Sequence, residues 1–146
     1  MAKRTGLPLV HLDFHYWRPG WVPSEKTLWR EKVISLAAEP RWIIDGNYGN
    51  TIDIRAAHAD TLIHLDFPTS LCFARVIYRT IANHGRERTN EVMVGCPERF
   101  DTDFFRFVLN YRRRNRERDM EKLRDFTGNR FTFTKPKDLM KFIEGF

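Results

Sequence analysis

The feature that most constrains this chain is a repeated hand-over, in which an apolar strand runs into an acid and then into a turn or helix. Residues 60–80 read DTLIHLDFPTSLCFARVIYRT. The stretch from Thr61 to Leu65 alternates, then runs apolar, ends at Asp66 and turns through Phe67-Pro68. It then enters an amphipathic segment that sets Arg75 and Arg79 four residues apart on one helical face. Upstream, Arg41-Trp-Ile-Ile-Asp-Gly-Asn-Tyr48 repeats the design, with a buried-type strand running into Asp45 and Gly46. Strands that end in charge and pass to helices predict an open parallel sheet with ligands at the strands' carboxyl ends. The expected fold class is α/β, a three-layer parallel sheet with helices on both faces.

The rest of the chain fits one domain over residues 1–146. Residues 7–13 predict a first strand with Asp13 at its end. Residues 17–23, with two prolines and a glycine, predict an irregular loop. Ser24 predicts the N-cap of a helix reaching about Ala38, with Leu28, Trp29, Val33, Leu36 and Ala37 turned inward. A strand over 42–45, a loop, a short helix over 52–58, a strand over 61–66 and a helix over 70–83 follow. Residues 84–100 carry two Gly, a Pro and three Arg without periodicity, which predicts a lid-like segment. One long helix over 101–126, a fourth strand over 130–134 and a last helix over 138–143 complete the expectation.

Composition narrows the class. Apolar residues make up 42% with twelve Phe and four Trp, which argues against disorder. No stretch approaches the ~18–20 apolar residues of a membrane span, and residues 1–6 lack the apolar run of a signal peptide. Cys72 and Cys96 form neither a metal spacing nor a disulfide framework. The expectation is a soluble cytoplasmic protein with no membrane partner. The net charge of +6 is uneven: residues 1–74 balance, whereas 75–130 hold fourteen basic against nine acidic residues. Eighteen of the 25 basic residues are Arg, whose planar fork suits phosphate. A polyanion partner follows, either nucleotide phosphates or, weakly and non-specifically, nucleic acid. A solvated basic face is the plain alternative for any one of them.

Several side chains are candidates on their own chemistry. Asp45 at a strand end can hold a Mg²⁺-bound water or a substrate hydroxyl, and Gly46 lets backbone approach a ligand. The plain alternative for Asp45 is a cap on the following turn. Asp13 stands between His11 and His15, a spacing that also suits a metal, although His11 is a better candidate for the core.

These motifs resemble the adenylate-kinase-like nucleotide kinases. The match is tightest with the branch known as DNA topology modulation proteins. The resemblance rests on His11-Leu-Asp13, Trp17-x-Pro-Gly-Trp21, Arg41 to Tyr48, Asp60-x-x-Ile-x-Leu-Asp-x-Pro68 and Gly95-Cys-Pro-Glu98. It implies an ATP- and Mg²⁺-dependent phosphotransferase acting on a nucleotide or small hydroxyl acceptor. Arg75 would pack on the adenine of ATP and Arg79 would meet its phosphates. Asp13, Asp45, Gly46, Tyr48 and Arg55 would hold the acceptor, with Asp45 also toward the metal. Arg86 and Arg88 would close from the lid, and Arg112 would join them from the helix that returns from it. The branch name keeps a basic DNA-binding protein without catalysis as the alternative.

The chain departs from that family at one point. No Gly-x-x-Gly-x-Gly-Lys-Ser/Thr loop occurs, and the earliest glycine is Gly6. Residues 1–6 resemble the tail of the helix that follows such a loop. A strand, loop and helix of about 20 residues would complete the pattern, with Met1 an internal methionine; a degenerate or regulatory paralogue is the alternative, and the 146-residue form is expected to be inactive or nearly so. In the family that strand lies between the equivalents of 42–45 and 61–66, so the sheet is expected to lack its first, central strand.

Overall fold

The two strand-to-acid runs do form parallel pairs, in a computed structural model that describes residues 1–87 and 94–145. The chain opens with α1 (Ala2–Thr5), β1 (Leu9–His11), α2 (Leu12–Tyr16), β2 (Trp17–Arg18), β3 (Val22–Pro23) and α3 (Lys26–Ala37). After β4 (Ile43–Asp45) a 3₁₀ turn (Gly49–Thr51) leads into α4 (Ile52–His58). Then come β5 (Thr61–Leu65), α5 (Thr69–Asn83), α6 (Thr102–Arg114), α7 (Arg116–Glu121), β6 (Asn129–Phe133) and α8 (Pro136–Glu144).

Strand β1 lies parallel to β4, with Leu9 opposite Ile43 and His11 opposite Asp45. Strand β5 lies parallel to β6, with Thr61 opposite Asn129 and Leu65 opposite Phe133. The α/β class and the parallel pairing therefore stand, with helices on both sides. The single three-layer sheet does not, because the strands form separate two-stranded sheets. No ladder joins β4 to β5, so each keeps an open edge among the described residues.

The core gathers on the first pair. Leu12 and Val33 are fully buried and pack with Trp29, Ala37 and Ile54, flanked by Tyr16, Leu36, Ile44 and Tyr48. Burial recurs along α3 at Trp29, Val33 and Ala37, the spacing of one helical face. Leu28 falls off that face and is exposed, against expectation.

Four further local expectations change. The first strand is shorter, and Asp13 stands in the first turn of α2. Residues 17–23 form a small antiparallel ribbon rather than an irregular loop, because Gly20 and Trp21 take positive φ and close its turn. Pro23 is tolerated at the end of such a ribbon, where no ladder donor is required. The cap of α3 is Glu25, whose carboxylate accepts from Thr27 N and Leu28 N at 3.0 Å. Ser24 instead donates its hydroxyl to Tyr16 O at 2.7 Å. The long helix over 101–126 breaks at Asn115 into α6 and α7, beside the point where Arg112 and Arg116 both turn to Asp66.

Candidate functional site

The carboxyl ends of β1 and β4 gather most of the residues that the sequence singles out for an acceptor. His11 and Asp45 are register partners, and His11 Nδ1 lies 3.1 Å from Asp45 Oδ2. Gly46 follows at φ 145° and presses on Leu12, where a Cβ would come within 2.8 Å of the leucine Cβ. Only glycine meets both demands. The chain then doubles back, so that the Tyr48 hydroxyl donates to Asp13 Oδ1 at 2.5 Å. The Tyr48 ring packs on Tyr16 and Trp29, each at 4.8 Å between centroids. Burial, then the adjoining Asp13 carboxylate, push the Tyr48 hydroxyl far above its ordinary pKa, so it stays a protonated donor.

Arg55 reaches this loop from α4 but turns to its backbone. Nη1 donates to Gly46 O at 2.9 Å and Nη2 to Tyr48 O at 3.0 Å. Burial lowers its pKa, while Asp45, Asp53 and Asp119 oppose that shift. Arg55 therefore braces the loop that carries Tyr48.

Beside the loop lies a cleft of about 420 Å³. Tyr16, Trp29 and Tyr48 form one wall, and Phe107 and Tyr111 of α6 form the other. Lys26 and Arg118 bring positive charge to its rim, and Lys26 has no ion-pair partner among the described residues. The Tyr111 hydroxyl is pushed up to about 12, first by burial and then by Asp119, to which it donates at 3.1 Å. Sequence reasoning did not place Phe107 or Tyr111 at a site. The aromatic first half of α6 was the available signal, and it reads equally well as core packing.

The second strand pair ends on a different cluster. Asp66 is only 8% exposed and receives Arg116 Nε at 3.1 Å, Arg116 Nη2 at 2.8 Å and Arg112 Nη2 at 3.1 Å. Burial pushes the Asp66 carboxyl up, but hydrogen bonds from Arg116 and Arg112 outweigh it and hold the group below the usual carboxylate range. His64 on β5 is held below its ordinary value by burial, and Arg116, Arg112 and Arg130 add to that against the opposing Asp66. Arg112, expected to face phosphates, is thus tied to the strand end.

Arg75 is exposed, with its guanidinium 5.7 Å from the Phe67 ring centroid. Arg79 instead meets the buried Glu98 at 3.2 Å and lies over Phe104. Thr80 donates to the same Glu98 oxygen. The Gly95-Cys-Pro-Glu98 motif is thereby pinned to α5. Arg79→Ala should lower stability by about 1–2 kcal/mol, because Glu98 loses a charged donor while remaining buried. Urea melts check this, and an unchanged midpoint would return Arg79 to a ligand-binding role. Arg86 is exposed, and its backbone pairs with Glu98. Arg88 lies outside the described residues.

Mg²⁺ and ATP make further demands on these residues. Asp45 offers one exposed carboxylate, enough for Mg²⁺ only where substrate phosphates and water supply the other oxygens. Among the described residues no three His, Cys, Asp or Glu side chains gather to hold a metal. For ATP, Arg75 suits an adenine face, but the sequence has no glycine-rich loop to cradle the phosphates. The residues present therefore do not complete an ATP site. Among the described residues no helix is long and apolar enough to cross a membrane. Compared with family models, curated proteins and solved structures, the chain matches none of them.

Proposed function

We propose that this chain carries the acceptor side of an ATP-dependent phosphotransferase of the adenylate-kinase-like type, acting on a nucleotide or another small hydroxyl compound. One observation carries the reading: Tyr48, held on Asp13 and three residues past the β4 strand end at Asp45, lines a cleft with aromatic walls and a cationic rim. Such transfer is mainly positioning and charge neutralisation. Asp13 orients the acceptor hydroxyl, Tyr48 fixes Asp13, and Lys26 and Arg118 face acceptor phosphate. The open edges of β4 and β5 accord with a P-loop kinase-like sheet whose first strand and phosphate loop lie between them.

The basic half favours this reading over DNA binding. Arg99, Arg106, Arg112, Arg116, Arg118 and Arg124 each pair with a carboxylate, which breaks up the field a duplex would meet. Nucleoside monophosphates should perturb Trp29 fluorescence saturably in the intact chain, and Tyr48→Phe and Asp13→Asn should weaken that binding. Salt-titrated assays should show DNA binding no tighter than ~10⁻⁶ M at physiological salt. Nanomolar, sequence-selective DNA binding would overturn the proposal.

A further inference from the structure

We infer that Asp119 is a positioning residue for this acceptor site: from beneath loop 47–51 it fixes both the placement of Tyr48 on Asp13 and the direction of Arg118 at the cleft rim. The inference rests on the acceptor reading of Asp13 and Tyr48 given above.

Asp119 is 3% exposed, and each of its carboxylate oxygens is engaged. Oδ1 accepts from Arg118 Nε at 3.1 Å and Nη2 at 3.0 Å, while Oδ2 accepts from the Tyr111 hydroxyl at 3.1 Å. That hydroxyl also lies 3.4 Å from Asn47 Oδ1. Gly49 rests directly on the carboxylate, and a Cβ there would clash with Oδ1 and come within 2.8 Å of Cγ. Its φ lies outside the left-handed region, so space rather than conformation demands glycine. Lys122, three residues after Asp119, donates to Gly49 O at 2.7 Å. The loop is thus held from α7 on one side and by Arg55 of α4 on the other.

Between those two braces the Tyr48 hydroxyl rests on Asp13. The same carboxylate aims the Arg118 guanidinium, whose side chain remains 54% exposed at the cleft. Stability alone is a weak reason for a carboxylate here, since apolar groups of similar volume often serve a buried position as well. The consequence of Asp119 is geometric: α7 sets the loop and the cleft cation together.

The test uses Asp119→Asn and Gly49→Ala in the whole chain, read by the Trp29 indole N–H resonance (assigned with Trp29→Phe) and by titration with AMP. Trp29 packs on Tyr48, so a displaced loop moves its signal. The expected result is a shifted Trp29 resonance and AMP affinity reduced ~10-fold or more, with β5 and β6 amide signals unchanged. Where Asp119→Asn fails to fold, Lys122→Ala removes only an exposed tether and should still shift the Trp29 resonance. Variants that fold with Trp29 and AMP affinity unmoved would overturn the inference. If Trp29 shifts but AMP does not bind even the unmodified chain, the loop coupling stands and the acceptor reading falls.

Discussion

Replacing Arg112 and Arg116 together with alanine is expected to destabilise the protein by about 3 kcal/mol or more, a larger loss than Asp66→Asn should cause. The asymmetry comes from burial. Asp66 is 8% exposed, whereas the Arg112 and Arg116 side chains are 46% and 38% exposed. Without the arginines a buried carboxylate loses three hydrogen bonds and both counter-charges. Without the carboxylate charge the arginines turn to water. Arg116→Ala alone should be worse than Arg112→Ala, since Arg116 supplies two of the three bonds. The same pairing fixes a sign for pH. The folded-state pKa of Asp66 is depressed, so its stabilisation is complete above the ordinary carboxylate pKa and declines as pH falls from there through the folded value. Asp66→Asn should abolish that part of the acid sensitivity. Urea melts near neutrality and in mild acid decide it, and equal acid sensitivity in the two proteins would sink the assignment.

The outcome for Asp66 shows what was legible in the sequence. Alternation followed by an acid located β5, β4 and their charged ends, because strand period and strand termination are local properties. The α4 boundaries were equally local. Partners were not. Arg112 carries a phosphate-binding side chain in a basic run, and nothing within that run says that Asp66, 46 residues upstream, will take it. Glu98 and Arg79 tell the same story, as does Arg55, whose guanidinium goes to carbonyls of the loop ahead of its helix. The ribbon at 17–23 was hidden because prolines argue against a strand, whereas the Gly20-Trp21 turn and the Gly20 N bond to Gly95 O hold it. The gap between β4 and β5 was expected from the family resemblance alone, since composition is silent on it; among the described residues the two strands share no ladder.

The phosphotransferase reading makes its sharpest demand on turnover: the 146-residue chain should consume ATP ~10²–10³-fold or more below the ~1–100 s⁻¹ of a working kinase. On that reading the acceptor side is the part in place, with Asp13 and Tyr48 paired and the cleft walled. The phosphate side is not. In P-loop enzymes, successive backbone N–H groups and one lysine stabilise charge on the transferring group, and losing a single such donor can cost ~10²–10³ in rate. None of the eight glycines in this chain stands in that spacing before a Lys-Ser/Thr pair. Exposed arginines such as Arg75 and Arg86 supply charge but not a fixed cradle. A coupled ATPase assay with a panel of nucleoside monophosphates measures the first half, and turnover at ~1–100 s⁻¹ would contradict it. The second half is constructive. Fusing a strand, glycine-rich loop and helix ahead of Met1 should pair the open edges of β4 and β5, bring the loop to the strand ends beside Asp13 and Asp45, and raise acceptor-dependent turnover at least ~10²-fold. Amide exchange should show the new edge protection in β4 and β5. A fusion that protects both edges, binds ATP and still transfers no phosphate to any acceptor would remove the phosphotransferase reading.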